Sequence, residues 1–163
     1  MGTIHVASGA GTGPTPMASY DAALAAAGVE NYNLVAVSSV VPEDAEVTVV
    51  ERAPALGPIG GRLTVVEARA TVAGPGSAGA ALGWSRTDSG AGLFYESDGT
   101  GDTDAAPETQ AADRVREGLA AGLDLRDWDG DEPTVQTRRA VADADEHATA
   151  VVIAAYGDAE PIC

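Results

Sequence analysis

Apolar and polar positions along the chain alternate in short β-branched runs, broken by two stretches with helical spacing. Ile4 to Ala7 predicts a first short strand, and the glycine-rich Gly9–Gly13 that follows reads as a loop. Thr15-Pro16 predicts a helix start, a capping hydroxyl followed by a first-turn proline, and Gly28 predicts its end. On that helix Met17, Tyr20, Asp21 and Leu24 recur at i, i+3, i+4 and i+7, which predicts one shared inward face. Leu34 to Val41 reads as a single strand, apolar on both faces and stopped by Pro42, which has no amide hydrogen to extend a ladder. Val47–Arg52 and Arg62–Ala73 predict two further strands. Ala78–Arg86 and Gly92–Ser97 predict a hairpin around Asp88-Ser89-Gly90. Asp98–Asp104 reads as an acidic surface loop, and Pro107 opens a second helix with Ala112, Val115, Leu119 and Gly122 or Leu123 inward. Thr134–Ala142 and His147–Tyr156 close the chain as two strands. The length supports one core, so residues 1–163 are read as one domain.

Three places in this pattern carry polar groups where apolar ones are expected. Ser38-Ser39 lies near the end of the Leu34–Val41 run, where a buried hydroxyl without a partner costs roughly 1–3 kcal/mol. The pair either shapes the turn before Pro42 or has a chemical use. By alternation Asn33 and Ser39 share a face. Asp21 sits on the predicted apolar helix face, where a carboxylate needs a cation, either an arginine of this chain or a cationic ligand. Glu96 follows Phe94 on one face of the hairpin's second arm, and burial beside an aromatic disfavours its charge. On its own it is also consistent with an ordinary edge-strand carboxylate.

Charge narrows the partners. The net charge is −16, from 25 acidic residues against 9 basic ones, all of them arginine. That balance argues against nucleic acid or an anionic membrane surface, both of which demand a basic face. It fits the solvated acidic surface of a protein from high salt. The lone Cys163 excludes an intrachain disulfide and a thiolate metal site, and His5 and His147 have no ligand spacing. The acidic run 127–133 lacks EF-hand spacing, so no metal is expected. Gly9-Ala10-Gly11-Thr12-Gly13 lacks the lysine of a phosphate loop and the third glycine of a dinucleotide fingerprint in its place. With no leader-like or membrane-length apolar run, the expectation is a soluble cytoplasmic protein.

The stretch Asn31-x-Asn33-Leu34-x-x-x-Ser38-Ser39-x-x-Pro42-x-x-Ala45-Glu46 closely resembles the self-cleavage segment of the pyruvoyl-dependent arginine decarboxylases. Gly92-Leu93-Phe94-Tyr95-Glu96-Ser97-Asp98-Gly99 resembles the family segment that carries the catalytic glutamate. The resemblance extends from the Thr15-Pro16 helix start to the last strand. It implies an α+β fold, a layered αββα-type sandwich of mostly antiparallel strands with two main helices. It also implies a break between Ser38 and Ser39, giving residues 1–38 and 39–163. Ser39 would attack the Ser38 carbonyl to form an ester. Elimination would then leave dehydroalanine, which takes up water and loses ammonia to become a pyruvoyl group at residue 39, a ketone that withdraws electrons as pyridoxal phosphate does elsewhere.

The absence of lysine fits this cofactor, because a pyridoxal enzyme needs a lysine for its resting Schiff base. The roles implied are Ser38 at the scissile peptide, Asn33 as a hydrogen-bond donor beside it, Glu96 as general acid, and Asp21 as partner of the substrate guanidinium. The implied reaction converts L-arginine to agmatine and carbon dioxide, in polyamine biosynthesis. The implied assembly is a trimer or dimer of trimers with active sites between neighbouring subunits. Two other readings remain open: a pyruvoyl decarboxylase for another amino acid, and an unprocessed, non-catalytic subunit of the same fold.

Overall fold

In the computed structural model, residues 2–163 are described, and they form two β-sheets packed face to face with one helix on each outer side. The elements run β1 (Thr3–Gly13), α1 (Pro16–Ala27), β2 (Asn33–Ala36), β3 (Val40–Val41), β4 (Glu46–Val49), β5 (Arg62–Ala73), β6 (Gly76–Arg86), β7 (Gly92–Gly101), α2 (Pro107–Arg126), β8 (Thr134–Ala142) and β9 (His147–Tyr156). The first sheet has the order β2-β5-β9-β1-β4, and the second β3-β7-β6-β8. Pairing is antiparallel except for β1 with β4 and β2 with β5. This is the expected αββα sandwich.

Small side chains let the two sheets approach closely. Ala68, Ala78, Ala80, Ala148 and Ala150, with Val66, Val152 and Phe94, fill the space between them. Leu63, Val65 and Ile153 bury the other face of the first sheet against Ala23, Leu24 and Ala27 of α1. Leu93 and Ala81 of the second sheet meet Ala111, Val115 and Leu119 of α2.

The limits of β5, β8 and β9, the hairpin turn and the caps of α1 agree with the sequence pattern. Thr15 accepts a bond from the Ala18 amide, and Gly28 closes the helix at φ 87°. Several expectations are corrected. Gly9–Gly13 is no loop: it continues β1, paired residue for residue with β9 down to Gly13↔His147. Gly9, Gly11 and Gly13 share the face on which α1 lies, and a methyl group at any of them would collide with the backbone of Ala23 or Ser19. Because the strand presses on small residues, the buried face of α1 is Ser19, Ala23, Leu24 and Ala27. Asp21 is exposed and Met17 is 70% exposed, so the predicted stripe through both is wrong.

The Leu34–Val41 run is not one buried strand. It is β2 in the first sheet and β3 in the second, with the chain crossing between them. Lastly, β7 extends to Gly101, shortening the acidic loop, whose Thr103 and Ala105 carbonyls accept bonds from Arg139. The strand predicted at Val47–Arg52 is β4, which ends at Val49.

Candidate active site

The crossing between sheets holds the two serines. On the upstream side the Val37 amide donates to the Val65 carbonyl of β5 at 3.0 Å, continuing the β2 ladder by one bond. On the downstream side the Phe94 amide of β7 donates to the Ser39 carbonyl at 2.7 Å, in register with Val40↔Leu93 and Val41↔Gly92. The Ser38-Ser39 peptide therefore spans the gap between two sheets, and Ser38 is exposed. Beyond it the chain is tied down again. The Tyr156 hydroxyl donates to the Val40 carbonyl at 3.0 Å, Val41 is fully buried, and Arg86 donates to the carbonyls of Pro42 and Ala45.

Alternation puts Ser39 on the face of Val41 and of its cross-strand neighbour Phe94, and Glu96 lies on that face two residues further along β7. Glu96 is exposed as a whole residue, yet partial burial of its carboxyl raises it above its ordinary range, the direction its position beside Phe94 led us to expect. Tyr156 stands near both: its ring packs 6.0 Å from that of Phe94, and its hydroxyl is pushed up to about 12 by burial and by the Glu96 charge. The phenol thus keeps its proton and serves as a donor.

Glu96 also lines a cavity of about 490 Å³ at the edge of the sandwich. Leu34, Ala36 and Val65 form its apolar side, and Tyr20, Glu67, Arg69 and Asp98 complete it. The Tyr20 hydroxyl donates to both Glu67 oxygens at 2.9 and 3.1 Å, while the Arg69 guanidinium lies 4.2 Å over the Tyr20 ring and 3.9 Å from Glu67. Burial raises Glu67, with Tyr20 and Arg69 partly offsetting it, and burial followed by the Glu67 charge takes Tyr20 up to about 12. Glu67 and Asp98 against the single Arg69 guanidinium, with Glu96 adding a charge only when ionised, give the cavity an acidic balance suited to a cationic ligand. A second cleft of about 350 Å³, between Asp88-Ser89 and the Asp127–Asp129 turn, contains none of the residues singled out by the sequence.

Within one chain the structure brings together Ser38, Ser39 and Glu96 and leaves Asn33 and Asp21 apart from them. Asn33 begins β2, and its side-chain amide donates to the Gly60 carbonyl at 2.7 Å. Five residues lie between it and Ser39, and the chain changes sheets within them. The inference that both share a face of one strand fails because they lie in different sheets. Asp21 points to solvent from α1 and does not line the cavity that its neighbour Tyr20 lines. Sequence reasoning missed Tyr156, Glu67 and Arg69. The last two had a signal, since Val65, Glu67 and Arg69 alternate onto one face of an otherwise apolar strand.

A sandwich whose chain changes sheets at a Ser-Ser peptide, with a partly buried carboxyl two residues along the neighbouring strand, defines a class of site in which residue 39 and Glu96 lie on one face. The family model for pyruvoyl-dependent arginine decarboxylase matches residues 3–161. Two strains of Halobacterium salinarum have proteins of that name that are 56% identical over 162 residues, covering 99% of this chain and 98% of the relative. The Methanocaldococcus jannaschii protein of the same name is 29% identical over 134 residues, covering 79% of this chain and 74% of the relative. The chain belongs to the pyruvoyl-dependent arginine decarboxylase family.

Proposed function

We propose that this chain, one domain of residues 1–163, cleaves itself between Ser38 and Ser39, converts Ser39 to a pyruvoyl group, and decarboxylates L-arginine to agmatine and carbon dioxide for polyamine biosynthesis. The observation that carries the reading is the placement of Glu96. It lies two residues along β7 from the amide that holds the Ser39 carbonyl, with its carboxyl raised by burial.

The residues present fit a pyruvoyl group. Ser39 can supply it with water as the only other reactant, and the Phe94 amide holds the carbonyl of the peptide to which it would remain attached. When formed, the group supplies an electrophilic ketone that draws electrons away from the substrate carboxylate. The chain's residues do the rest. Glu96, kept protonated to higher pH than an ordinary carboxyl, holds a proton for the substrate carbon that loses carbon dioxide. The apolar wall of Leu34, Ala36 and Val65 excludes water, and Glu67 and Asp98 favour a cationic side chain.

Asp21 and Asn33 act, in this proposal, from a neighbouring copy. Asp21 pairs with the substrate guanidinium through two parallel hydrogen bonds, and Asn33 donates at the scissile peptide. Supporting an assembly, Val35, Val37 and Val40 are 42%, 41% and 46% exposed around the serines, an apolar strip that a second copy would cover. The assembly is a trimer or dimer of trimers, and the acidic surface fits the salt-rich cytoplasm of a halophile.

Incubating the purified protein in high salt with L-arginine, L-ornithine, L-lysine or L-aspartate, and assaying evolved carbon dioxide and amine, tests the substrate. Agmatine from arginine alone is the expected result. Preference for another amino acid would reassign the substrate. No product from any of them, with the chain still whole, would favour the unprocessed subunit.

A further inference from the structure

We infer that Tyr156 is a positioning residue for the self-cleavage: with the Phe94 amide it clamps residues 39–40 from both sides, so that the Ser39 hydroxyl is held toward the Ser38 carbonyl. The inference rests on the cleavage proposed above and adds a residue to it. Consecutive carbonyls of an extended chain point in opposite directions. Here both are taken: Ser39 by the Phe94 amide of the second sheet at 2.7 Å, and Val40 by the hydroxyl at the end of β9, in the first sheet, at 3.0 Å.

The clamp sits on one side of the scissile peptide only. Among the described residues, Val37 is the last tied to the first sheet before the break, and Ser38 is exposed. The attack requires this asymmetry. The Ser39 oxygen must reach back to the Ser38 carbonyl carbon. The C–N bond breaks as the C–O bond forms, and the hydroxyl proton passes to the freed nitrogen of Ser39. A fixed residue 39 holds the nucleophile while a freer residue 38 lets its carbonyl turn to meet it. Burial keeps the phenol protonated, so this donor persists across the working pH range. The ring also packs on Phe94, so removing the oxygen alone leaves the packing in place.

The test is a time course of intact mass for wild-type and Tyr156→Phe chains freshly made by cell-free synthesis in high salt, with melting temperature measured on each product. Net loss of one such hydrogen bond predicts cleavage slowed about five- to tenfold. Melting within a few degrees of wild type is expected, together with a lower kcat at unchanged KM in the mature protein. Wild-type cleavage with an equally fast, equally active Tyr156→Phe variant would overturn the role of Tyr156 alone. Failure of that variant to fold would make the hydroxyl a structural element and equally remove it from the reaction. A wild-type chain that stays whole would overturn the self-cleavage, and the clamp with it.

Discussion

β1 and the β2–β3 crossing are neighbours in sequence and opposites in construction. β1 lies inside the first sheet, paired with β9 over ten residues and with β4 over four, and α1 rests on its glycines. The crossing has four residues of ladder on one side of the serines and two on the other, with valines open to solvent. The contrast shows why a break between residues 38 and 39 need not unravel the fold. Residues 1–38 are anchored by β1 and α1, and also by β2, which pairs with β5 up to the Val37–Val65 bond. A cut between Ser38 and Ser39 would fall between the last bond to the first sheet, at Val37, and the first bond to the second, at Ser39.

Each element of that contrast can be attacked separately. The largest effect is expected from Ser39→Ala, which removes the nucleophile. Intact mass should show one uncut chain and carbon dioxide release should fall to background, while the melting temperature stays near that of wild type because the crossing contributes little to stability.

Next comes Glu96→Gln. Cleavage should proceed, and kcat should fall by roughly 10²–10⁴-fold. In the wild type, turnover should decline as pH rises through the raised Glu96 value, because the acid must carry its proton to donate it. The glutamine variant should lack that limb of the pH profile, and a profile with the limb intact would assign it to another group.

Asp21→Asn should leave cleavage alone and raise KM for arginine by roughly 10–100-fold, the loss of a charged hydrogen-bonded pair. Steady-state kinetics over a range of arginine concentrations reads it. An unchanged KM would transfer the recognition of the guanidinium to Glu67, the half-buried carboxylate of the cavity.

The smallest effect tests the anchor. Gly11→Val drives a side chain into the α1 backbone and should cost about 1–3 kcal/mol. For a chain of this size that is a fall of roughly 2–4 °C per kcal/mol in thermal denaturation. Cleavage, if it belongs to the crossing alone, should continue.

How much of this was readable in the sequence depended on what the neighbours were. β5, β8 and β9 carry β-branched runs between clear breaks, and their ends fell where the pattern put them. The glycine tail of β1 was read as a loop because glycine marks turns. Its alternation, Gly9, Gly11 and Gly13 on one face, instead makes room for a helix. The same contact misled the reading of α1, where small Ser19, Ala23 and Ala27 are buried in place of larger Met17. At the crossing an unbroken apolar run looked like one strand. A run shared between two sheets has the same letters, and valines open to solvent in one chain look no different from buried ones. Glu96 was legible because its aromatic neighbour lies on its own strand. Tyr156 was not, since its partners Val40 and Glu96 are far away in sequence.

The most direct test of the central claim, a chain cut at the crossing yet held by β1, is intact mass of the purified protein in high salt, under native and denaturing conditions, with and without a carbonyl-trapping reagent. The account predicts one assembly under native conditions that denatures into residues 1–38 and a 39–163 fragment whose first residue takes up the reagent. A single uncut, unreactive chain, or a small fragment that leaves without denaturant, would contradict it.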